Sequence, residues 1–278
     1  MSLVVNTNMA SLGAQRNLAA NTGSLSKSVQ RLSSGLRINS ARDDAAGLAV
    51  STKLRAQIAS VAVAIRNSQD GISLAQTTEG GLNEVTNILV RMRELSEQSA
   101  NGTLSNQERS SLAVEYKGLV DEITRITNVT EFNGVKLLNG SKSATGVTLQ
   151  VGFQSTTNDQ ITFFSGMAAM NATTLGFTSA DIDSSNAAFS NLATIDAAIG
   201  SVAQARGELG AVMSRLDSTI ANLRVTSENL SSANSAILDA DFAAEASNFI
   251  RNQILVQAGT SMVAQANMLP QTALTLLG

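Results

Sequence analysis

The feature that most constrains this chain is a run of mostly apolar residues spaced alternately by three and four. Ile195, Ile199, Val202, Arg206, Leu209, Met213, Leu216, Ile220, Leu223, Ser227, Leu230, Asn234 and Ile237 follow in such steps, with only Arg206, Ser227 and Asn234 polar. This is a heptad seam, and its period is helical. At 1.5 Å per residue it runs for roughly 65 Å. A stripe of that length needs partner helices along all of it. The fold is therefore expected to be mainly α, a long antiparallel, coiled-coil-like helical bundle in the form of a rod. Leu209, Met213, Leu216, Ile220 and Leu223 are expected in the bundle core.

The rest of the chain supplies partners. Leu54, Ile58, Val61, Ile65, Ser68, Ile72, Ala75, Glu79 and Leu82 step in the same way, as do Leu112, Tyr116, Leu119, Ile123 and Ile126. Leu25, Val29, Leu32 and Leu36 form a shorter seam, with Val5, Met9 and Leu12 shifted in register before it. Near the end Phe242, Phe249 and Val256 lie seven apart, and Ile250 and Ile254 four apart. Gly35 is expected to close the first helix. Ser40 with Asp43 and Asp44 reads as the start of the second. Asn101-Gly102 breaks that helix, and Ser105 with Glu108 reads as a capping box for the next. Asn133-Gly134 and Asn139-Gly140 are turn signals.

In the middle the period changes to two. Val147, Leu149, Val151 and Phe153 alternate with polar or small residues, and Ile161 and Phe163 follow after Thr157-Asn158-Asp159. A small β-hairpin element is expected within about 142–165. A loop is expected over 165–190, with helix resuming near 187 and running nearly to Pro270.

Composition removes most chemistry. The chain of 278 residues has no Cys and no His, so disulfides, thiol nucleophiles, His-based triads and His-bound metals are unavailable. A net charge of −3 gives no long-range attraction for nucleic acid. No window of 18 apolar residues runs without polar interruption, so no membrane insertion is expected. The opening residues lack a basic region followed by an apolar one, so no ordinary secretory signal peptide is expected, which leaves open export by a route that reads and cleaves none. The acidic pairs Asp43-Asp44, Asp181/Asp183 and Asp239/Asp241 all fall near helix starts, where capping explains them. The Asn-x-Ser/Thr triplets, such as Asn101-Gly-Thr103, are what chance gives in a chain this rich in Asn, Ser and Thr. No enzyme and no cofactor is expected. Charged residues make up only 15%, against about 25% in an average domain, which suits a chain that packs against copies of itself. The two terminal segments are almost free of acids and bases, and the bundle cannot cover them as well as itself.

Several blocks then resemble bacterial flagellins. Leu32-Ser-Ser-Gly-Leu-Arg-Ile-Asn-Ser-Ala-Arg-Asp-Asp-Ala-Ala-Gly47, the stretch Arg66 to Asn83 and Thr130-Glu-Phe-Asn-Gly-Val-Lys-Leu-Leu138 are similar to the family's N-terminal part. Gln253 to Leu274, with its Gln-Ala-Asn-Met-Leu-Pro, is similar to the C-terminus. The resemblance covers residues 1–155 and 190–278. It implies a structural subunit that self-assembles into the extracellular flagellar filament for swimming motility. It also implies that 1–40 with 240–278 form inner terminal helices lining the filament core, and that 41–239 form the bundle-and-hairpin layer. Val5, Met9, Leu12, Phe242, Phe249 and Val256 are the expected polymerisation residues. Implied partners are further copies, the flagellar export machinery and its chaperone, and the cap and hook-junction proteins. Arg91, Leu95, Leu112 and Glu115 match a patch sensed by a vertebrate Toll-like receptor, while Leu119 departs from it. A hook–filament junction protein is the alternative, and a secreted helical adhesin a more distant one. The outer region over 165–190 is too short for elaborate domains.

Overall fold

The computed structural model describes residues 7–165, 168–177 and 182–275, with side chains to residue 268. Five α-helices carry the described chain: α1 (Met9–Ser34), α2 (Ala45–Ala100), α3 (Asn106–Val129), α4 (Ser185–Leu238) and α5 (Phe242–Thr275). Between α3 and α4 lie two antiparallel strand pairs, β1 (Glu131–Phe132) with β2 (Val135–Lys136) and β3 (Val147–Gln150) with β4 (Gln160–Phe163). The mainly α fold with a small β element is the one the seams required.

The helix ends follow the sequence signals closely. Gly35 closes α1 in the left-handed conformation (φ 70°) and donates its N–H to the Arg31 carbonyl. Ser105 and Glu108 form the expected capping box, each side chain bonding the other's backbone N–H. One start differs. Ser40 does not begin α2. Its backbone N–H and hydroxyl both bond the Asp43 carboxylate. Asp44 is the residue that caps α2, accepting the Gly47 N–H at 2.9 Å. Asp241 caps α5 likewise, taking the N–H groups of Ala243 and Ala244. The helical run expected up to Pro270 is therefore two helices, broken at Asp239–Asp241, and α5 continues past Pro270 to Thr275. Asp181 lies outside the described residues.

The chain divides into two compact units, one of residues Met1–Ile58 with Glu228–Gly278 and one of Ala59–Ser227. The second has the conventional inside. Leu82, Leu89, Met92, Leu95, Tyr116, Ile123, Leu138, Ile182, Ile195 and Leu216 are fully buried in one continuous cluster. The expected core of α4 is largely there: Leu209, Leu216, Ile220 and Leu223 are buried, and Met213 is half-buried against the cluster. The β3–β4 hairpin lies on α2 at a glycine. A Cβ on Gly71 would overlap Leu149 and come within 3.2 Å of Leu216, so a side chain there would lift the hairpin off. Asn67 Nδ2 holds the same hairpin by donating to the Gln150 carbonyl at 2.9 Å. The β1–β2 turn uses Asn133 (φ 48°) and Gly134 (φ 76°), the backbone that a two-residue hairpin needs.

Where α2 ends, a buried arginine replaces the missing helical donors. Arg109, 8% exposed, donates Nε–H to the Ser99 carbonyl at 2.9 Å and Nη2–H to the Asn101 carbonyl at 2.8 Å. Ser185 at the head of α4 covers the Ala100 carbonyl at 2.7 Å. By length and composition α2 also passes as a helix able to cross a membrane, with mean hydropathy 1.3 over its best window. A core helix meets the same test, and Leu82, Val85, Leu89 and Met92 of α2 are core.

In the first unit the two connectors are tied together. Leu36 and Asp239 form an antiparallel bridge, Arg37 N–H donates to the Leu238 carbonyl, and Ala240 N–H to that of Gly35. The Arg37 guanidinium then caps the end of α4, bonding the carbonyls of Ala236 and Ile237 at 3.3 and 2.7 Å. A cation at a helix C-terminus also suits the dipole. Lys27 bridges to Asp43 at 2.9 Å, and this contact, with the Asn39 N–H and the Ser40 hydroxyl, holds the Asp43 carboxyl down at about 2.

Candidate assembly surface

The residues expected to drive polymerisation sit on α1 and α5, which pack antiparallel on each other. Five cross-contacts fix the arrangement. Asn8 Nδ2 donates to the Ala266 carbonyl at 2.7 Å, and Ser11 Oγ to Asn267 Oδ1 at 2.6 Å. Leu18 lies over Gly259, Asn252 Nδ2 donates to Ser28 Oγ at 3.4 Å, and Arg31 faces Glu245 at 3.5 Å. On α5 these contacts mark the stripe 245, 252, 259, 266. Phe249, Val256 and Val263 fall between them at heptad spacing, and all three are half-buried. On α1 the covered stripe is Ser11, Ala14, Leu18, Asn21, Leu25, Ser28 and Leu32.

The covered faces thus mix polar or small residues with half-buried Leu, Phe and Val, while many large apolar side chains point outward. Met9 is 69% exposed and Phe242 also 69%. Leu12, Val29, Ile250, Ile254, Leu255, Met262 and Met268 are all exposed as well. Glu245 and Arg251 are the only charged residues of α5. Apolar residues surround α5, a distribution that belongs to a helix buried on all sides, yet α1 covers only one side. Covering one such side chain fully is worth about 1.5–3 kcal/mol.

Of the expected polymerisation residues, Met9, Leu12 and Phe242 point outward, whereas Phe249 and Val256 lie on the stripe toward α1. Val5 lies outside the described residues. Val29, read from sequence as part of the α1 seam, is exposed, and Ser28 takes the covered place. The larger part of the outward face, Ile250, Ile254, Leu255, Met262 and Met268, was not singled out for assembly by the sequence. Ile250 and Ile254 were visible as a four-residue repeat, but nothing in an evenly apolar helix marks which stripe faces out.

The second unit presents charge instead. Arg91 reaches Glu94 at 2.9 Å and Glu115 at 2.8 Å, and Glu115 first, then Glu94, raises the Arg91 pKa above its ordinary value. Arg93 meets Asp196 at 2.9 Å, and Arg206, the polar member of the α4 seam, meets Glu79 at 3.5 Å. Arg91 and Glu115 of the expected receptor patch are therefore brought together. Leu112 is half-buried against the core. Leu95 is a correction: it is fully buried in the core cluster, because it stands on the inner stripe of α2 with Leu82, Leu89 and Met92. Among the described residues no group of three or more acidic side chains could hold a metal ion.

A helix pair that leaves so many large apolar side chains exposed defines a class: a helical subunit with a surface suited to being covered by other protein. Comparison with known proteins names the family. Residues 5–143 match the bacterial flagellin N-terminal helical region, and residues 192–277 the bacterial flagellin C-terminal helical region. The chain is 45% identical over 275 residues to a flagellin of Halalkalibacterium halodurans, covering 99% of this chain and 100% of that one. It is 41% identical over 285 residues to flagellin FlaB2 of Treponema pallidum, with coverage of 99% and 100%. A solved structure from Vibrio parahaemolyticus, put forward as that of a flagellar hook-associated protein, shares the fold. Its TM-score is 0.57 at 20% identity, over 71% of this chain and 100% of that one. The chain belongs to the bacterial flagellin family. It is a structural subunit of the flagellar filament, not an enzyme, and it assembles with copies of itself.

Proposed function

We propose that the α1–α5 pair is the part of the subunit that other copies cover in the filament core. In this reading residues 1–40 and 240–278 form the inner layer and 41–239 the bundle-and-hairpin layer around it. The observation that carries it is the outward apolar face of Met9, Leu12, Phe242, Ile250, Ile254 and Met262 on a pair almost without charge. In a helical polymer each contact is heterologous and recurs at every subunit, so one lost side chain is lost along the whole lattice. Polymerisation therefore draws on Val5, Met9, Leu12 and Phe242 together with the α5 face. Phe249 and Val256 act from the side turned toward α1.

The remaining partners follow the family: the export machinery with its chaperone, the cap, and the hook-junction proteins. Export proceeds without a cleaved leader, and a vertebrate Toll-like receptor would meet Arg91, Leu112 and Glu115 rather than Leu95. Sedimentation of polymer across protein concentration tests the core assignment. Ile254→Asp and Met262→Asp should raise the critical concentration at least tenfold, with monomer melting unchanged. Normal assembly of both variants would remove α5 from the inner layer.

A further inference from the structure

We infer that the polar contacts between α1 and α5 are a register lock: they select one alignment of two helices whose apolar pattern would accept several. The need for a lock comes from α5 itself. Its apolar residues lie on every side, so sliding by one heptad past α1 would replace one set of aliphatic contacts by another of much the same kind. What does not repeat is the polar content. Asn8 and Ser11 at the head of α1 meet Ala266 and Asn267, and the Asn8 Oδ1 is already committed to the Ser11 N–H as the helix cap. Ser28, 3% exposed, meets Asn252, and Arg31 meets Glu245, which is 8% exposed. Between these ends Leu18 fills the gap over Gly259, where an added Cβ would stand 3.1 Å from the leucine methyl.

A slip by seven residues breaks every one of these matches at once. It takes Asn252 from Ser28, Asn267 from Ser11 and Glu245 from Arg31, and puts a side chain in place of Gly259 against Leu18. Buried polar groups left unpaired are costly, and a single buried polar pair is known to fix register in coiled coils. The lock also matters beyond the pair. Any slip would displace Met9 and Leu12 relative to Ile250, Ile254 and Met262, and so change the face offered to a neighbouring copy. The inference stands on pairing inside one chain, and goes beyond the placement of that pair in the filament.

The chain has no cysteine, so engineered pairs report register without background. Ala14→Cys with Val263→Cys reads the observed alignment, and Ala14→Cys with Val256→Cys reads a slip of one heptad. Both pairs are oxidised in the full-length chain as pelleted filament, where the terminal pair is covered, and the intrachain product is separated from intermolecular products on a denaturing gel. With the native rungs the first pair should close at least tenfold more than the second. Replacing the rungs by Ser11→Ala, Ser28→Ala, Asn252→Ala and Asn267→Ala should bring the two yields within about threefold. Exchanging one rung, Ser28→Asn with Asn252→Ser, should keep the native ratio. A ratio unaltered by the four alanines, or equal closure of both pairs in the native chain, would overturn the lock. The failure of the core assignment looks different: Ile254→Asp would then assemble normally while the cross-link ratio stayed native.

Discussion

Residues 59–227 and the α1–α5 pair solve the same problem, packing long helices side by side, in opposite ways. In the former, Leu82, Met92, Ile123, Phe163, Leu216 and the single Tyr lie inside, and ion pairs such as Arg91–Glu115 and Arg93–Asp196 lie outside. In the pair, Ser, Asn, Gly and Glu share the seam with half-buried Leu18, Leu25, Phe249 and Val256, while Met9, Phe242, Ile250, Ile254 and Met262 lie outside. The first arrangement keeps its free-energy gain within one chain. The second leaves most of its apolar area uncovered and gains fully only when another chain covers it. In the proposed reading, one polypeptide carries a part that folds by itself and a part whose stability is deferred to assembly.

The sharpest way to break that contrast is to place the same charge in both regions. Leu216→Asp puts an unpaired carboxylate into a fully buried site, which should cost on the order of 3–5 kcal/mol and unfold the bundle. Ile254→Asp should leave the soluble subunit's circular dichroism and melting intact while abolishing polymer. If Ile254→Asp destabilised the subunit as Leu216→Asp does, the two regions would not differ in kind.

A smaller effect probes how the hairpin joins the bundle. Gly71→Val should clash with Leu149 and cost about 1–3 kcal/mol in denaturant melts, whereas Gly80→Ala, whose added Cβ meets nothing within 4 Å, should stabilise α2 slightly. Equal behaviour of the two glycines would mean that the hairpin does not rest on α2 at Gly71.

Titration gives the smallest signals, one from the bundle and one from the connector that follows α1. Burial pushes the Tyr116 hydroxyl up to about 12, with the neighbouring Ser96 hydroxyl opposing in part, and the two oxygens do not reach hydrogen-bonding geometry. The folded state then keeps its proton while the unfolded chain ionises near 10. The contribution is intact below pH 10 and is lost as pH rises through about 12. Phenolate absorbance should therefore rise late, and together with unfolding. Asp43 works in the other direction. Its carboxyl is lowered to about 2 chiefly by its bond to Lys27, so its stabilisation holds above about 4 and fades as pH falls through about 2. Asp43→Asn should remove that acid step from the connector while leaving residues 59–227 untouched.

How much of this the sequence discloses depends on which region is read. The α4 seam from Ile195 to Leu223 is legible because large apolar residues recur on one stripe and polar ones on the others. The Ser105–Glu108 capping box, the Gly35 stop and the Val147–Phe163 hairpin are legible because each is local chemistry. The α1–α5 seam is misleading for the same reason that it is interesting. A reading that seeks apolar residues at heptad spacing selects Val29 and Phe242, which are exposed, and passes over Ser11, Ser28 and Asn252, which mark the contact. The buried position of Leu95 and the use of Asp44 rather than Ser40 as a cap needed three-dimensional neighbours to decide. So did Arg37 and Arg109, whose partners are backbone carbonyls that no side-chain pattern announces.

Amide hydrogen exchange, compared between soluble subunit and filament, reads the two regions separately. In the soluble subunit, residues 11–34 and 242–268 should exchange within seconds to minutes, while Leu82 to Leu95 and Ile195 to Leu216 stay protected. In the filament both sets should be protected, because neighbouring copies then cover the apolar face of the terminal pair. Equal protection of the α1–α5 pair in the two states would contradict the account, since the pair would then be stable on its own seam.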